Sequence, residues 1–512
     1  MNLDADRNGA DVILISPKNT QNRMFGRFVP KSVPLGAGLV AGYLRKKGLA
    51  VNLLDEEVVE INARTLKAFL ERCGKPRIVG ISCMTSNIAR GYRIAEVVKS
   101  VDSEANVVFG GIHATTLPEE VLDHACDYAV LGEGEYAFLE LVLQIKSKHI
   151  QPESLEAVIF RSNGKTVYTH SPWRRWVNLD ELPMFPYDLL DTSRYDLGFI
   201  LSSRGCPYDC TFCSQRAISK RVVRYASVEK TVQELDLLIN GFGVPNITFF
   251  DDYFTPNRKR VYELCAAMRK AGFYQKCSFG VQTRGDSVDR ELLQEMKSAG
   301  FTSLMFGVES ASNEVLKVVN KNETVEDNMS GIRLAKELGF EVETTFIFGL
   351  PTEKFDDRLA ALRLARDTAV DRARFNNPTP YPGTLLYRTA KEEGRLRVGE
   401  DWKNFSSVAA LTETPGGHSL PYVPAGMTER ELVGTILLAN LLFYLRFSKL
   451  KRLFNPSQKG SGKWFELPVK KLLNPVYVLS LATLAITIFS RAIYYLIAES
   501  NCRKFFAKGI RL

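Results

Sequence analysis

Two successive series of alternating strand-like and helix-like segments constrain the fold of this chain most strongly. Short apolar runs alternate with segments of helical spacing, first up to about residue 145 and again after residue 196. Because consecutive parallel strands need a crossover, usually a helix, this alternation predicts parallel sheets with right-handed connections. The predicted strands are 12–15, 51–54, 78–82, 106–109 and 128–130, then 199–202, 246–250, 278–282, 303–306, 343–348 and 374–377.

The chain has 512 residues, too many for one hydrophobic core, so each series is assigned to its own domain. We predict an α/β fold that begins with a doubly wound, Rossmann-like parallel sheet over residues 10–145. A linker over 146–195 follows, with a Pro-rich stretch near its end. A partial (β/α)6 barrel over 196–400 and a helical region over 401–512 complete the prediction.

Three of the nine cysteines are clustered directly after the first predicted strand of the barrel. Cys206, Cys210 and Cys213 can bind three irons of a [4Fe–4S] cluster and leave the fourth iron without a protein ligand. S-adenosylmethionine (SAM) can chelate that open iron through its amino and carboxylate groups. The alternative is structural zinc, but zinc needs four ligands, and no His or Cys follows closely after Cys213.

The x3 and x2 spacing of these cysteines, with Phe212 before the third, resembles the signature of the radical SAM superfamily. The resemblance implies that the reduced cluster cleaves SAM to a 5′-deoxyadenosyl radical, and that a reductant such as flavodoxin or ferredoxin supplies the electron. Five further segments resemble successive strand ends of one large branch of that family: 249–254, 282–284, 306–310, 348–351 and 380–384.

The resemblance also implies which residues surround SAM. Glu309 would lie near its methionyl amine or ribose, and the segment containing Gly349 would approach the adenine. Residues 352–354 depart from the usual Gly-Glu-Thr order. Each residue taken alone is equally open to a structural role, such as a helix cap or a surface ion pair. The predicted SAM-binding residues are Asp251, Arg284, Glu309, Gly349 and Pro351.

Residues 10–145 resemble the cobalamin-binding domain that precedes the radical domain in the largest radical SAM subclass. The matching segments include 109–115 and 132–135, and a parallel sheet of this type binds ligands at the carboxyl ends of its strands. The Asp-x-His-x-x-Gly motif that supplies a cobalt ligand in other cobalamin domains is absent. The predicted cobalamin-binding residues are Ser82, Thr85, Gly110, Gly111, His113, Gly132 and Glu133.

Two alternatives remain open for this domain. His113 is a candidate cobalt ligand, although a lone histidine is more often a hydrogen-bonded core residue. The domain as a whole could also be a degenerate α/β module that binds nothing and only packs against the barrel.

The net charge of +9 is concentrated in the last 70 residues, while the rest of the chain is close to neutral. This distribution argues against an extended nucleic-acid surface. Phe443, Phe447, Leu450 and Phe454 share one helical face beside basic residues, which is typical of a helix lying on anionic lipid. Residues 476–498 are apolar but are interrupted by Arg491. The alternative is a helical cap on the barrel.

These patterns together predict a cytoplasmic enzyme, peripheral at the inner face of the membrane, with a [4Fe–4S] cluster, SAM and cobalamin as cofactors. The predicted reaction is C-methylation of an apolar small molecule, such as a lipid, isoprenoid or tetrapyrrole. One alternative is a radical SAM cyclase, oxidase or rearrangement enzyme, such as an anaerobic tetrapyrrole cyclase. The other is a cobalamin sensor or iron–sulfur protein without SAM turnover.

Overall fold

The computed structural model describes residues 9–19, 31–399, 402–412, 420–446 and 475–512. Within these ranges the chain forms two large sheets covered by helices and one small two-stranded sheet. The strands are β1 (Val12–Ser16), β2 (Val51–Asp55), β3 (Ile78–Ser82), β4 (Asn106–Gly110), β5 (Tyr128–Val130), β6 (Val158–Ser162), β7 (Lys165–Tyr168), β8 (Phe199–Ile200), β9 (Ser203–Arg204), β10 (Arg224–Tyr225), β11 (Asn246–Phe249), β12 (Ser278–Thr283), β13 (Phe301–Glu309), β14 (Glu341–Ile347) and β15 (Arg372–Asn376).

The helices alternate with these strands as the sequence pattern predicts. They are α1 (Leu35–Lys46), α2 (Ala63–Leu70), α3 (Ile88–Val101), α4 (Ile112–Thr116), α5 (Pro118–Leu122), α6 (Gly134–Ser147), α7 (Gln215–Ser219), α8 (Val228–Asp236), α9 (Arg258–Lys270), α10 (Arg290–Ser298), α11 (Asn313–Val318), α12 (Val325–Glu337), α13 (Phe355–Asp367), α14 (Leu385–Glu392), α15 (Ala409–Thr412), α16 (Glu429–Tyr444), α17 (Pro475–Ala498) and α18 (Ser500–Arg511).

The N-terminal sheet has the strand order β2-β1-β3-β4-β5-β6-β7, and its first five strands are parallel. The order 2-1-3-4-5 is that of a doubly wound fold, which binds ligands at the carboxyl ends of its strands. Strands β1 to β4 are almost continuously buried because helices cover both faces of the sheet. The prediction of a Rossmann-like parallel sheet is confirmed.

Strands β6 and β7 form an antiparallel hairpin that extends this sheet. They lie inside residues 146–195, which the sequence pattern assigns to a linker. Asn163 and Gly164 turn the chain with φ angles of 50° and 74°, the left-handed conformation that a tight hairpin turn needs. The linker prediction missed this hairpin because both strands are short and β7 is largely exposed.

The second sheet has the order β15-β14-β13-β12-β11-β8, and all six strands are parallel. It is the predicted partial (β/α)6 barrel. Its outer face is dominated by buried aromatic side chains, including Phe249, Phe279, Phe301 and Phe346, which pack beneath the surrounding helices. The small antiparallel pair of β9 and β10 precedes β11 and frames the cysteine loop.

Helix α16 covers the free edge of the barrel at β15. The Tyr444 hydroxyl donates to the carbonyl of Ala373 at 3.0 Å and accepts from the N–H of the same residue at 3.3 Å. Asn440 donates to the carbonyl of Phe375 at 3.0 Å. These bonds satisfy backbone groups that an unpaired edge strand would leave exposed.

Helices α17 and α18 pack against α16, so at least this part of the C-terminal region caps the barrel. Arg491, which interrupts the apolar run of α17, is buried and donates to the carbonyls of Ala410 and Leu411 at 2.7 Å. Among the described residues no single helix passes a length and hydropathy test for a membrane span; the segments Ala482–Ala498 and Ser500–Ile510, bent by 114°, pass it as a pair.

The predicted lipid-facing stripe needs one correction. Phe443 is fully buried in the barrel core, with its ring 6.4 Å from that of Phe375, because α16 docks on the sheet. It therefore cannot insert into a membrane while α16 stays docked. The other three members of that stripe, Phe447, Leu450 and Phe454, lie outside the described residues.

Candidate functional site

The cysteine loop starts from a rigid backbone anchor at the carboxyl end of the barrel. Gly205 has φ 98°, and a Cβ there would lie 2.1 Å from the carbonyl oxygen of Val222, so only glycine fits. The Gly205 N–H donates to the Asp252 carboxylate at 2.9 Å. The buried Asp251 carboxylate accepts from the backbone N–H groups of Ser202 and Ser203 at 2.7 and 3.0 Å. The chain entering the loop is thus fixed by the end of β11.

The far side of the loop is held by backbone contacts to other barrel elements. Thr211 donates its N–H to the carbonyl of Val319 at 3.0 Å, and its own carbonyl accepts from the N–H of Leu386 at 2.9 Å. Asn320 donates to the carbonyl of Asp209 at 3.1 Å. The loop is therefore preorganised on both sides.

All three thiols of the loop are partly buried and unpaired. Burial is the main cause that raises the pKa of Cys213 to about 12, and the neighbouring Cys210 and Cys206 contribute to the same increase. Among the described residues, no three His, Cys, Asp or Glu side chains converge closely enough to hold a single metal ion. Cluster cysteines bind separate irons and need not converge on one point, so the donor set fits a [4Fe–4S] cluster better than zinc.

A buried charged network lies beside the cysteines. Lys321 is only 6% exposed, and its Nζ lies 3.3 Å from Glu309 Oε1 and 3.9 Å from Glu323 Oε2. Burial raises the pKa of Cys210, and the positive charge of Lys321 offsets part of that increase. Glu309 has φ 65°, a strained value for a residue other than glycine, at an irregularity in the β13–β14 pairing. In this backbone conformation the Glu309 carboxylate lies against Lys321.

Arg284 joins the same network from the end of β12. Its guanidinium donates to Asp286 and to the carbonyls of Lys321 and Asn322 at 2.7–2.9 Å, and it lies 3.7 Å over the Tyr208 ring in the cysteine loop. Each guanidinium nitrogen therefore already has a partner in the protein. In this structure Arg284 supports the loop, and its predicted SAM contact stays a prediction.

Asp251 shows the same pattern as Arg284. Both of its oxygens accept hydrogen bonds within the protein, one from backbone N–H groups and the other from the Ser202 hydroxyl at 2.6 Å. It anchors the backbone rather than presenting a free carboxylate.

Gly349 shapes the turn after β14. It has φ 90°, and a Cβ would approach the Leu432 side chain to 2.9 Å. Its N–H donates to Glu353 at 2.6 Å, and burial raises the pKa of Glu353 to about 8. Pro351 follows in the same turn and is partly exposed. The structure places both residues at the edge of the barrel that carries Glu309.

The carboxyl edge of the N-terminal sheet offers backbone rather than free polar side chains. Ser82 and Gly110 end adjacent strands and are paired in register. A Cβ on Gly110 would have no atom closer than 4.0 Å, whereas one on Gly111, at φ 90°, would lie 2.5 Å from the carbonyl of Cys83. This edge has room at Gly110 for a bulky ligand to approach the backbone, so it fits the predicted cobalamin.

His113 lies beneath that edge with no exposed surface. Its Nδ1 lies 3.2 Å from the Thr85 hydroxyl, and its Nε2 lies 3.4 Å from Glu120. Trp402 donates to the same Glu120 oxygen at 2.7 Å. Both ring nitrogens are partnered, so the structure favours the core alternative for His113 over a cobalt ligand. Thr85 is buried in the same network.

Glu133 and Gly132 also have structural roles within the protein. Glu133 forms ion pairs with Arg204 and Arg224 of the barrel at 3.2 and 2.6 Å. Gly132, with φ 67°, turns the chain where a Cβ would lie 2.9 Å from Pro172. Both residues follow β5 at the same carboxyl edge as Ser82 and Gly110. The Glu133 carboxylate is already bonded within the protein, so its predicted cobalamin contact stays a prediction.

The sequence patterns gave no sign of Lys321, Glu323 or Arg224. Each is a charged residue outside the matched motifs, and each contacts residues far along the chain. The alternating charges of Lys321-Asn322-Glu323 carry no periodic signal, so only the fold reveals that they are buried.

Family models match both halves of the chain. The model described as the radical SAM superfamily matches residues 200–365, and the B12 binding domain model matches residues 23–142. These matches confirm the predicted cofactors, namely a [4Fe–4S] cluster, SAM and cobalamin. They do not assign individual residues.

Three relatives extend the similarity over most of the chain. An uncharacterized methyltransferase of Pyrococcus horikoshii is 30% identical, over 78% of this chain and 86% of that protein. An anaerobic magnesium-protoporphyrin IX monomethyl ester cyclase of Cereibacter sphaeroides is 28% identical over 84% and 69%. A hopanoid C-3 methylase of Methylococcus capsulatus is 28% identical over 76% and 74%.

The fold also matches a solved structure. The cobalamin-dependent S-adenosylmethionine radical enzyme OxsB superposes with a TM-score of 0.68 at 20% identity, covering 98% of this chain and 75% of that one. This likeness supports the order of a B12-binding sheet, a radical SAM barrel and a helical region. The chain is therefore an enzyme of the cobalamin-dependent radical SAM family.

Proposed function

We propose that this enzyme methylates an unactivated carbon of an apolar small molecule, with Cys206, Cys210 and Cys213 as the cluster ligands. When bound, the cluster and SAM supply a 5′-deoxyadenosyl radical, and cobalamin supplies a methyl group. The preorganised cysteine loop at the carboxyl end of the barrel is the observation that carries the proposal. Ligands of such barrels bind at that end.

The protein's own residues have defined tasks in this proposal. The Glu309–Lys321 pair presents a carboxylate beside the loop for the amine or ribose of SAM, and the Gly349 turn presents backbone to the adenine. Gly110 and Ser82 would contact cobalamin through the sheet edge. A low-potential reductant such as flavodoxin or ferredoxin would deliver the electron.

An exposed aromatic ring at the barrel edge supports an apolar substrate. Phe250 directly follows β11, is 46% exposed, and stacks on Phe199 with a ring separation of 4.6 Å. Exposed aromatic rings at a ligand-binding edge favour apolar or planar ligands. The relative named as a hopanoid methylase points in the same direction.

A second apolar surface supports contact with a membrane. Ile486, Phe489, Ile493 and Ile497 are spaced along one face of α17 and are 69%, 46%, 57% and 73% exposed. The opposite face carries the buried Arg491 and packs on the barrel. A helix that is docked on one side and apolar on the other can lie on lipid, and the basic residues of 446–471 would attract an anionic leaflet.

The reaction is tested with anaerobically reconstituted protein expressed with hydroxocobalamin. We expect bound corrinoid and reductive SAM cleavage to 5′-deoxyadenosine. With apolar candidate substrates, we expect methylated product. A cyclised or oxidised product without added methyl would favour the cyclase alternative instead. A protein that binds both cofactors without cleaving SAM would favour the sensor.

Membrane contact is tested separately by sedimentation with anionic liposomes. We expect binding that Ile486→Glu, Ile493→Glu and Ile497→Glu together reduce, with SAM cleavage unchanged. The matched control is glutamate at the exposed Tyr168 and Val318, which lie on other surfaces. A full-length protein that stays in the supernatant at low salt would contradict this part of the proposal.

A further inference from the structure

A buried ion cluster connects the two domains next to the cysteine loop. Arg204 lies two residues before Cys206. Its Nη1 is 3.2 Å from Glu133 Oε1, and its Nη2 is 2.6 Å from Glu135 Oε1. Glu133 directly precedes α6 in the turn after β5, and Glu135 lies in the first turn of α6. One guanidinium therefore joins the cysteine loop of the barrel to the carboxyl edge of the B12-binding sheet.

A second arginine completes the cluster. Arg224 is the direct antiparallel partner of Arg204, and its guanidinium donates to both oxygens of Glu133 at 2.6 and 2.7 Å. Two like charges opposite each other on paired strands repel one another unless acidic groups neutralise them. The glutamates supply that neutralisation, so the β9–β10 pair depends on the N-terminal domain.

The cluster is shielded from water. The side chains of Arg204, Arg224, Glu133 and Glu135 are 18%, 17%, 11% and 3% exposed. Both glutamates lie at the N-terminus of α6, where the helix dipole favours negative charge. Two-pronged arginine–carboxylate pairs in such surroundings fix orientation more strictly than a flexible lysine would.

We infer that Arg204 is a positioning residue, which through Glu133 and Glu135 holds the cluster loop at a fixed separation from the cobalamin edge. The inference rests on the proposed function, because it requires both cofactors. A radical formed at one cofactor and a methyl group held at the other must meet on one carbon, and small displacements of reacting groups cost large factors in rate.

The experiment measures the separation directly. Full-length protein carrying cob(II)alamin and the reduced cluster has two paramagnetic centres, and pulsed EPR reports their dipolar coupling. Wild type should show one narrow distance. The double variant Glu133→Gln with Glu135→Gln should retain iron and corrinoid but lose that single distance. Glu56→Gln is the control, since it alters a buried arginine pair, with Arg90, that does not touch the barrel.

Arg204→Lys is the second variant, in case the double variant does not fold. It keeps the charge but removes the two-pronged contact. The distribution of distances between the two paramagnetic centres should therefore broaden less than in the double variant. An unchanged narrow coupling in loaded Arg204→Lys, or in a loaded double variant, would overturn the inference. A wild type with a cluster but no corrinoid would instead refute the cobalamin part of the proposed function, and the inference would fall with it.

Discussion

The two carboxyl edges of this molecule use their polar residues in different ways. At the barrel edge, side chains form the proposed site: three thiols, with Glu309 and Lys321 beside them. At the N-terminal edge, the predicted polar residues His113, Thr85 and Glu133 are bonded within the protein, and backbone at Gly110 remains for a ligand. Iron–sulfur ligation requires thiolate side chains, whereas a large organic cofactor can be bound by a shaped backbone edge.

The largest expected effect concerns the three thiols at the carboxyl edge of the barrel. Replacing Cys206, Cys210 and Cys213 together by Ala should abolish iron binding and 5′-deoxyadenosine formation, because no other thiol lies in that loop. Iron analysis, absorption spectra and product chromatography measure the loss. Cys126→Ala, in the N-terminal domain, should retain both. SAM cleavage by the triple variant would remove the basis of the proposed function.

The next effect concerns the charge beside the thiols. Lys321→Met leaves Glu309 and Glu323 buried without their shared cation, which should lower the free energy of unfolding by about 3–5 kcal/mol. Chemical denaturation measures it. Lys354→Met breaks a solvent-exposed pair with Glu314 and should leave stability unchanged. Equal effects of the two variants would show that the buried network has no special role.

Gly110 and Gly111 test the carboxyl edge of the N-terminal sheet, where the backbone is proposed to contact the ligand. Gly111→Ala forces a methyl group towards the Cys83 carbonyl at positive φ and should destabilise the domain by about 1–3 kcal/mol. Gly110→Ala has room in the protein, so it should fold normally yet bind less corrinoid. Thermal unfolding and corrinoid content separate the two. If Gly110→Ala bound a normal amount of corrinoid, the prediction that cobalamin contacts Gly110 would be wrong.

The last prediction is a pH dependence at the Gly349 turn. Burial raises the pKa of Glu353 from 4.5 to about 8, so the folded state binds this proton more tightly than the unfolded state. Its contribution to stability is therefore fully present below pH 4.5 and is lost as pH rises to about 8. Glu353→Gln keeps an acceptor for the Gly349 N–H and should flatten the stability profile in that window. An unchanged profile would contradict this assignment.

The sequence predicted the strand order of neither sheet, but it did predict both sheet types and the cysteine loop. Apolar runs and helical spacing are local, and the cysteines lie within eight residues, so each leaves a readable pattern. The Glu133–Arg204 contact joins positions 71 residues apart, and no local pattern reveals it. The hairpin at Asn163-Gly164 did have a local signal, since Asn-Gly between two short strand-like runs, 158–160 and 166–168, favours a tight turn.

The Tyr444 hydroxyl at the barrel edge has a consequence for self-association. It occupies the N–H and C=O of Ala373, and Asn440 occupies a second carbonyl of the same strand, so two side chains act in place of a seventh strand. A fragment ending before α16 would present β15 as an open template on which another copy could pair. The isolated barrel should therefore aggregate through β15. In the full-length chain, α16 prevents this by covering the edge of that strand.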